Sequence, residues 1–187
     1  NTNTKSSCPS VDVPVLKDGV EYTECAQWRS GVVQRIQDEE PALVLLANHG
    51  VGEWQTVDSD DPATAWRRGL ESTIGEVDDS ARVAVLADIP LQGADPPECL
   101  SYNLEHAADC ATAVEDAFSR QVSETERAAA GATGAAYLDF TPYFCNSETC
   151  PTIIGNLLVY RDDQHLTASF SARLAEPLEG EIRPLLE

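Results

Sequence analysis

The stretch Pro41-Ala42-Leu43-Val44-Leu45-Leu46-Ala47-Asn48 decides the class of fold. Its unbroken apolar run, Ala42 to Ala47, lies between a proline and a polar turn, which is the length and texture of a buried strand. Upstream, Trp28, Val32, Val33 and Ile36 recur at helical spacing from Cys25, and Pro41 ends that helix. Downstream, Asp61-Pro62 opens a second helix through Trp66, Leu70 and Ile74, and Arg82 to Ile89 forms a second apolar strand that ends at Pro90. Two successive helix-strand units predict an α/β fold with a mainly parallel sheet.

The rest of the chain is more broken. Pro90 to Cys110 is rich in Pro, Gly and Asp and reads as a long surface excursion. Ala111 to Ala130 reads as one alanine-rich helix with Val114, Phe118 and Val122 on a common face. Tyr137 to Phe140 reads as a short strand, and Leu157 to Tyr160 as another short strand or an extended segment. Thr167 caps a final helix through Phe170 and Leu174, disturbed at Pro177. No repeat of about 20 to 50 residues is present. A chain of 187 residues suits one domain, because two cores would each be small for the surface they cover.

Composition excludes several classes of function. A formal charge of −20 with only Lys5 and Lys17 as lysines argues against a nucleic-acid partner, which clustered cations would hold. No run approaches the roughly 18 to 20 apolar residues of a membrane-spanning helix. No basic, apolar, small-residue leader stands at Asn1, and there is no methionine, so the expectation is a processed or excised piece of a longer polypeptide. Six cysteines fall as three local couples, 8 with 25, 99 with 110 and 145 with 150. Fifteen pairings are formally possible, and neighbour pairing needs no long-range coincidence. A metal site fits less well: there is no C-x-x-C, and His49, His106 and His165 lack finger spacing. Disulfides imply an oxidising compartment.

The segment with most chemistry is Tyr160-Arg161-Asp162-Asp163-Gln164-His165-Leu166-Thr167, between an extended stretch and the last helix. An Asp three residues before a His can fold its carboxylate onto the imidazole Nδ1, leaving Nε2 to accept a proton from a hydroxyl. The same residues also fit a solvated turn that caps the following helix. Arg161 and Asp163 read as surface contacts.

This octad, with Lys5-Ser6-Ser7-Cys8-Pro9 and the three cysteine couples, resembles the SGNH-type (GDSL-like) domain that follows the membrane acyltransferase-3 domain in bacterial cell-surface O-acetyltransferases. The resemblance covers essentially the whole chain. It implies a three-layer α/β/α sandwich, one SGNH-like domain over residues 1–187, and a Ser-His-Asp triad whose last two members map onto His165 and Asp162. The family's serine sits in a Gly-Asp-Ser motif upstream of the position of Lys5-Ser6-Ser7-Cys8, and these 187 residues contain no such motif. Asp58-Ser59 lacks the glycine and reads as a surface turn. The expectation is therefore that the nucleophile, first strand and first helix precede Asn1.

Asn48 follows the first buried strand, where SGNH proteins place a side-chain amide for the oxyanion, although Ala47-Asn48-His49-Gly50 departs from Gly-x-Asn-Asp and Asn48 also suits a turn. His49 is a runner-up base without an acidic residue at useful spacing. Trp28 and Trp66 fall on apolar helical faces and read as core, whereas Trp54 is the substrate-contact candidate. The function this implies is O-acyl, chiefly acetyl, transfer to hydroxyls of a cell-surface glycan through an acyl-serine, with no metal or organic cofactor. The partner would be the membrane acyltransferase domain of the same polypeptide, and the site extracytoplasmic. Rival readings are a non-catalytic glycan- or protein-binding domain and a carbohydrate O-acetyl esterase.

Overall fold

The computed structural model describes residues 1–49, 56 and 61–187. In chain order, the hairpin β1 (Leu16–Lys17) and β2 (Val20–Glu21) leads into α1 (Thr23–Glu39), β3 (Leu43–Ala47), α2 (Pro62–Val77) and β4 (Arg82–Leu86). Then come α3 (Pro96–Tyr102), β5 (Thr112–Ala113), α4 (Val114–Ala117), α5 (Arg120–Thr133) and β6 (Ala136–Leu138). The chain ends with β7 (Thr149–Cys150), β8 (Ile153–Ile154), β9 (Leu157–Leu158), α6 (Ala168–Arg173) and α7 (Ala175–Leu186). Two compact units form: Asn1–Asp88 with Arg120–Leu138 and Leu186, and Ile89–Ser119 with Asp139–Leu185 and Glu187.

The first unit holds the parallel sheet in the order β3-β4-β6, with Leu43 opposite Arg82, Ala47 opposite Leu86 and Leu86 opposite Leu138. Central β4 buries Val83, Ala84 and Val85 in succession, which is why its sequence is continuously apolar rather than alternating. Both crossovers advance in one direction, so right-handed connections put α2 and α5 on the same face, where they pack together. Asp61 caps α2 by accepting from Thr64 N–H, and Pro62 occupies the first turn, where a missing N–H costs nothing.

A bent segment before the hairpin completes this core. Val11, Val13 and Val15 are buried while Asp12 and Pro14 are exposed, with Val13 N–H donating to Val11 O at 2.8 Å across a tight turn. Asp12 N–H donates to Gly69 O of α2 at 3.0 Å, and a Cβ on Gly69 would lie 2.7 Å from Asp12 O and from Val13 Cγ1. Only glycine lets the segment lie this close to the helix. Cys8–Cys25 ties it to α1, and Arg29 pairs with Asp12 at 3.0 Å.

The second unit is stapled rather than layered. Cys99–Cys110 ties α3 to the 3-10 turn Ala107–Cys110, and Cys145–Cys150 closes the turn before β8. All six cysteines are paired as neighbours, as expected of a chain that matures in an oxidising compartment. Phe144, Tyr160 and Phe170 make the unit's aromatic core, with Phe144 and Phe170 ring centroids 5.4 Å apart. Gly155, at φ +64°, makes the β8–β9 turn.

The helix expected over Ala111 to Ala130 is broken. Thr112–Ala113 pairs with β7, Val114 N–H bonds Glu148 O, and Leu91 N–H takes Ala117 O. These backbone groups are engaged outside a helical ladder, so Phe118 is extended and α5 starts afresh at Arg120. The final helix also divides, at Leu174, and Pro177 falls harmlessly in the first turn of α7.

Candidate active site

The loop Arg161–His165 is built locally. Tyr160 bridges Leu166, and Arg161 N–H donates to His165 O at 2.9 Å, so the loop ends are pinned as in a hairpin. Thr167 continues the tie with N–H to Val159 O, and its Oγ1 caps α6 by accepting from Phe170 N–H. Gln92 N–H holds Asp163 O at 3.1 Å, giving Asp163 a backbone role that its side chain does not explain.

Within this loop Asp162 Oδ1 accepts the N–H groups of Gln164 (3.0 Å) and His165 (2.7 Å), an Asx-type turn. The same carboxylate meets His165 Nδ1 at 2.9 Å from Oδ1 and 3.0 Å from Oδ2. Both readings of the octad, turn and dyad, are thus one geometry. The Gln164 N–H, followed by the His165 bonds, holds the Asp162 carboxyl below the usual carboxylate range. With Nδ1–H donated to the carboxylate, a neutral ring keeps its lone pair at Nε2, and the His165 side chain is 60% exposed. Arg161 Nε lies 3.5 Å from Asp162 Oδ2 at the loop's outer side.

Asn48 belongs to the first unit, at the carboxyl end of β3, the end of a parallel sheet where ligands bind. It is buried at 5% exposure, its Oδ1 accepts both N–H and Oγ–H of Ser10 at 2.8 Å, and its Nδ2 donates to Glu126 Oε1 at 2.9 Å. Trp66 Nε1 donates to the same oxygen at 3.3 Å, so Trp66 is core with a polar duty. Trp54 and Asp58-Ser59 lie outside the described residues.

Two features escaped the sequence reading. His49 has an acidic partner after all: Asp88 Oδ2 stands 3.4 Å from its Nδ1. Ala47 and Leu86 are register partners, and two residues beyond each come His49 and Asp88, so the pairing is visible only once strand register is known. Glu126, at 1% exposure, is the other; it sits on the buried face of α5 with Val122, Ala129 and Ala130, a position a helical pattern reserves for an apolar residue. Among the described residues no cluster of His, Cys, Asp and Glu is arranged to hold a metal ion, and no helix is long and apolar enough to cross a membrane.

The family model for the SGNH domain fused to AT3 domains matches residues 2–180, and the chain belongs to that family. Among solved structures, it is similar to the periplasmic domain of the lipopolysaccharide acetyltransferase of Salmonella ser. Paratyphi A, with a TM-score of 0.69 and 19% identity over 95% of this chain and 69% of that one. That likeness establishes the SGNH-like α/β fold. No curated protein matches the sequence significantly.

Proposed function

We propose that this domain carries the acid–base half of an acyl transfer from a donor to hydroxyls of a cell-surface glycan, on the outer side of the cytoplasmic membrane. The observation that carries the reading is the Asp162–His165 pair, closed at Nδ1 with Nε2 left to work. Family membership supports an acyl-transfer or esterase chemistry, and the fusion to AT3 domains supports a membrane partner domain in the same polypeptide.

In this mechanism a serine hydroxyl from a segment outside these residues attacks the donor's acyl carbonyl, and His165 Nε2 takes the hydroxyl proton. The imidazolium is stabilised by Asp162 and returns the proton to the leaving group. A glycan hydroxyl then attacks the acyl-serine, its proton passing through His165 to the serine oxygen. Water in place of the glycan gives an esterase from the same intermediate. Asn48 is the proposed oxyanion donor and Trp54 a substrate contact.

The test is p-nitrophenyl acetate turnover. The 187-residue chain is expected to show none, and a polypeptide that includes an upstream Gly-Asp-Ser segment to turn over, with His165→Ala lowering kcat by about 10⁴-fold or more. Turnover by the 187-residue chain that survives His165→Ala refutes the assignment. An inactive longer polypeptide that still binds glycan favours a docking domain.

A further inference from the structure

The network around Asn48 contains a buried carboxyl that the proposed mechanism does not use. Glu126 Oε1 takes N–H groups from Asn48 on β3 and Trp66 on α2, while Ser10 fills Asn48 Oδ1 with two donors. The carboxamide is therefore gripped at both ends. A flip would turn Nδ2 toward the Ser10 N–H and leave the Glu126 oxygen facing a carbonyl. Of the two N–H groups on Nδ2, one is given to Glu126, and no described residue accepts the other. For packing alone a leucine would fill the Glu126 site. The acceptor is what the amide and the indole require.

We propose that Glu126 is the positioning residue for Asn48, binding one N–H of its side-chain amide so that the other is presented, fixed in direction, to a developing oxyanion. This rests on the reading of Asn48 as an oxyanion donor. The charge state of Glu126 then matters, because an ionised carboxylate bound to the donor amide opposes, by like charge, an oxyanion developing on that amide's other side. Burial is the main cause pushing the Glu126 carboxyl up to about 7, opposed by the Asn48 and Trp66 bonds and reinforced by Asp88. Oε1 accepts both N–H bonds, so the acid proton resides on Oε2. Asp88, at the end of β4, is the charged group whose field reaches it, and His49 sits against Asp88. Arg127, on the same helix, is committed to the Tyr137 ring at 4.3 Å. The neutral form is the working form, and ionisation weakens the site.

The experiment is a ¹⁵N NMR titration of the 187-residue chain from pH 5 to 9, following the Asn48 side-chain amide and the Trp66 indole N–H. Both signals are expected to move together with a common midpoint near 7, and to stay flat in Glu126→Gln, which keeps the acceptor without the charge. Flat wild-type signals, or a titration that persists in Glu126→Gln and so belongs to His49 or Asp88, overturn the proposal. In a polypeptide that carries the serine, kcat should fall as pH rises through about 7. Glu126→Gln should remove that fall, and Glu126→Leu should lower kcat at least about tenfold at every pH with KM little changed. Glu126→Leu with wild-type kcat overturns the positioning role. Asn48→Ala with undiminished turnover sinks the reading of Asn48 instead, whatever the titration shows.

Discussion

Asp162 binds His165 twice over: one carboxylate orients the imidazole through Nδ1 at 2.9 Å and holds the same residue's backbone N–H at 2.7 Å. The ring and the loop that carries it are thus fixed by a single side chain.

Asp162→Asn separates these duties. A carboxamide oxygen still accepts the Gln164 and His165 N–H groups, so the loop keeps its shape, while the imidazolium loses its counter-charge. The expected result is a fall in kcat of about 10⁴-fold in a polypeptide that carries the serine, with near-native backbone NMR shifts at 160–167. Asp162→Ala should lose both, with large shifts at Gln164 and His165.

Loop order should also depend on acid. The folded pKa of Asp162 lies below its ordinary value, so its contribution is fully present above that value and is lost as pH falls through the depressed one. Amide shifts of Gln164 and His165 should therefore hold through the ordinary carboxylate range and change only at lower pH. A midpoint at or above the ordinary aspartate value of 3.8 would contradict the bonding seen.

Glu126 predicts the opposite slope. Its folded pKa is raised from 4.5 to about 7, so the native state binds the extra proton between those values and stability falls as pH rises through that window, then levels. Glu126→Gln removes this dependence. At pH 8 it should be the more stable protein by an amount on the order of 3 kcal/mol, measured by urea denaturation at pH 5 and 8.

Gly69→Ala should destabilise, although alanine for glycine inside a helix ordinarily gains about 1 kcal/mol. The new methyl would meet Asp12 O, a backbone atom, at 2.7 Å. A cost of about 1 to 3 kcal/mol in denaturation is expected, with loss of amide protection at Asp12.

Iodoacetamide should label no cysteine before reduction. On chain entropy, removing Cys8–Cys25, with a sequence separation of 17, should cost about 3 kcal/mol, and removing Cys145–Cys150, with a separation of 5, about 2.

What the sequence disclosed follows from locality. Leu43–Ala47, Arg82–Leu86, the two helices before them and all three disulfides were legible because each is specified within a few turns of chain. The Asp162–His165 geometry was legible for the same reason, three residues apart. The Ala111 to Ala130 helix failed where Thr112–Ala113 pairs with a strand 37 residues on, a demand that alanine content cannot reveal. Glu126 and the His49–Asp88 pair were hidden because they depend on sheet register and on which face of α5 is buried, which emerge only when distant segments meet.

The pinned hairpin from Tyr160 to Leu166 has one more implication. Everything that aims the imidazole, from the bridge at its neck to the aspartate at its tip, is written in seven consecutive residues and in the Gln92 amide that braces them. In the proposed mechanism the proton-handling pair is thus a cassette, its aim set by bonds within one short loop.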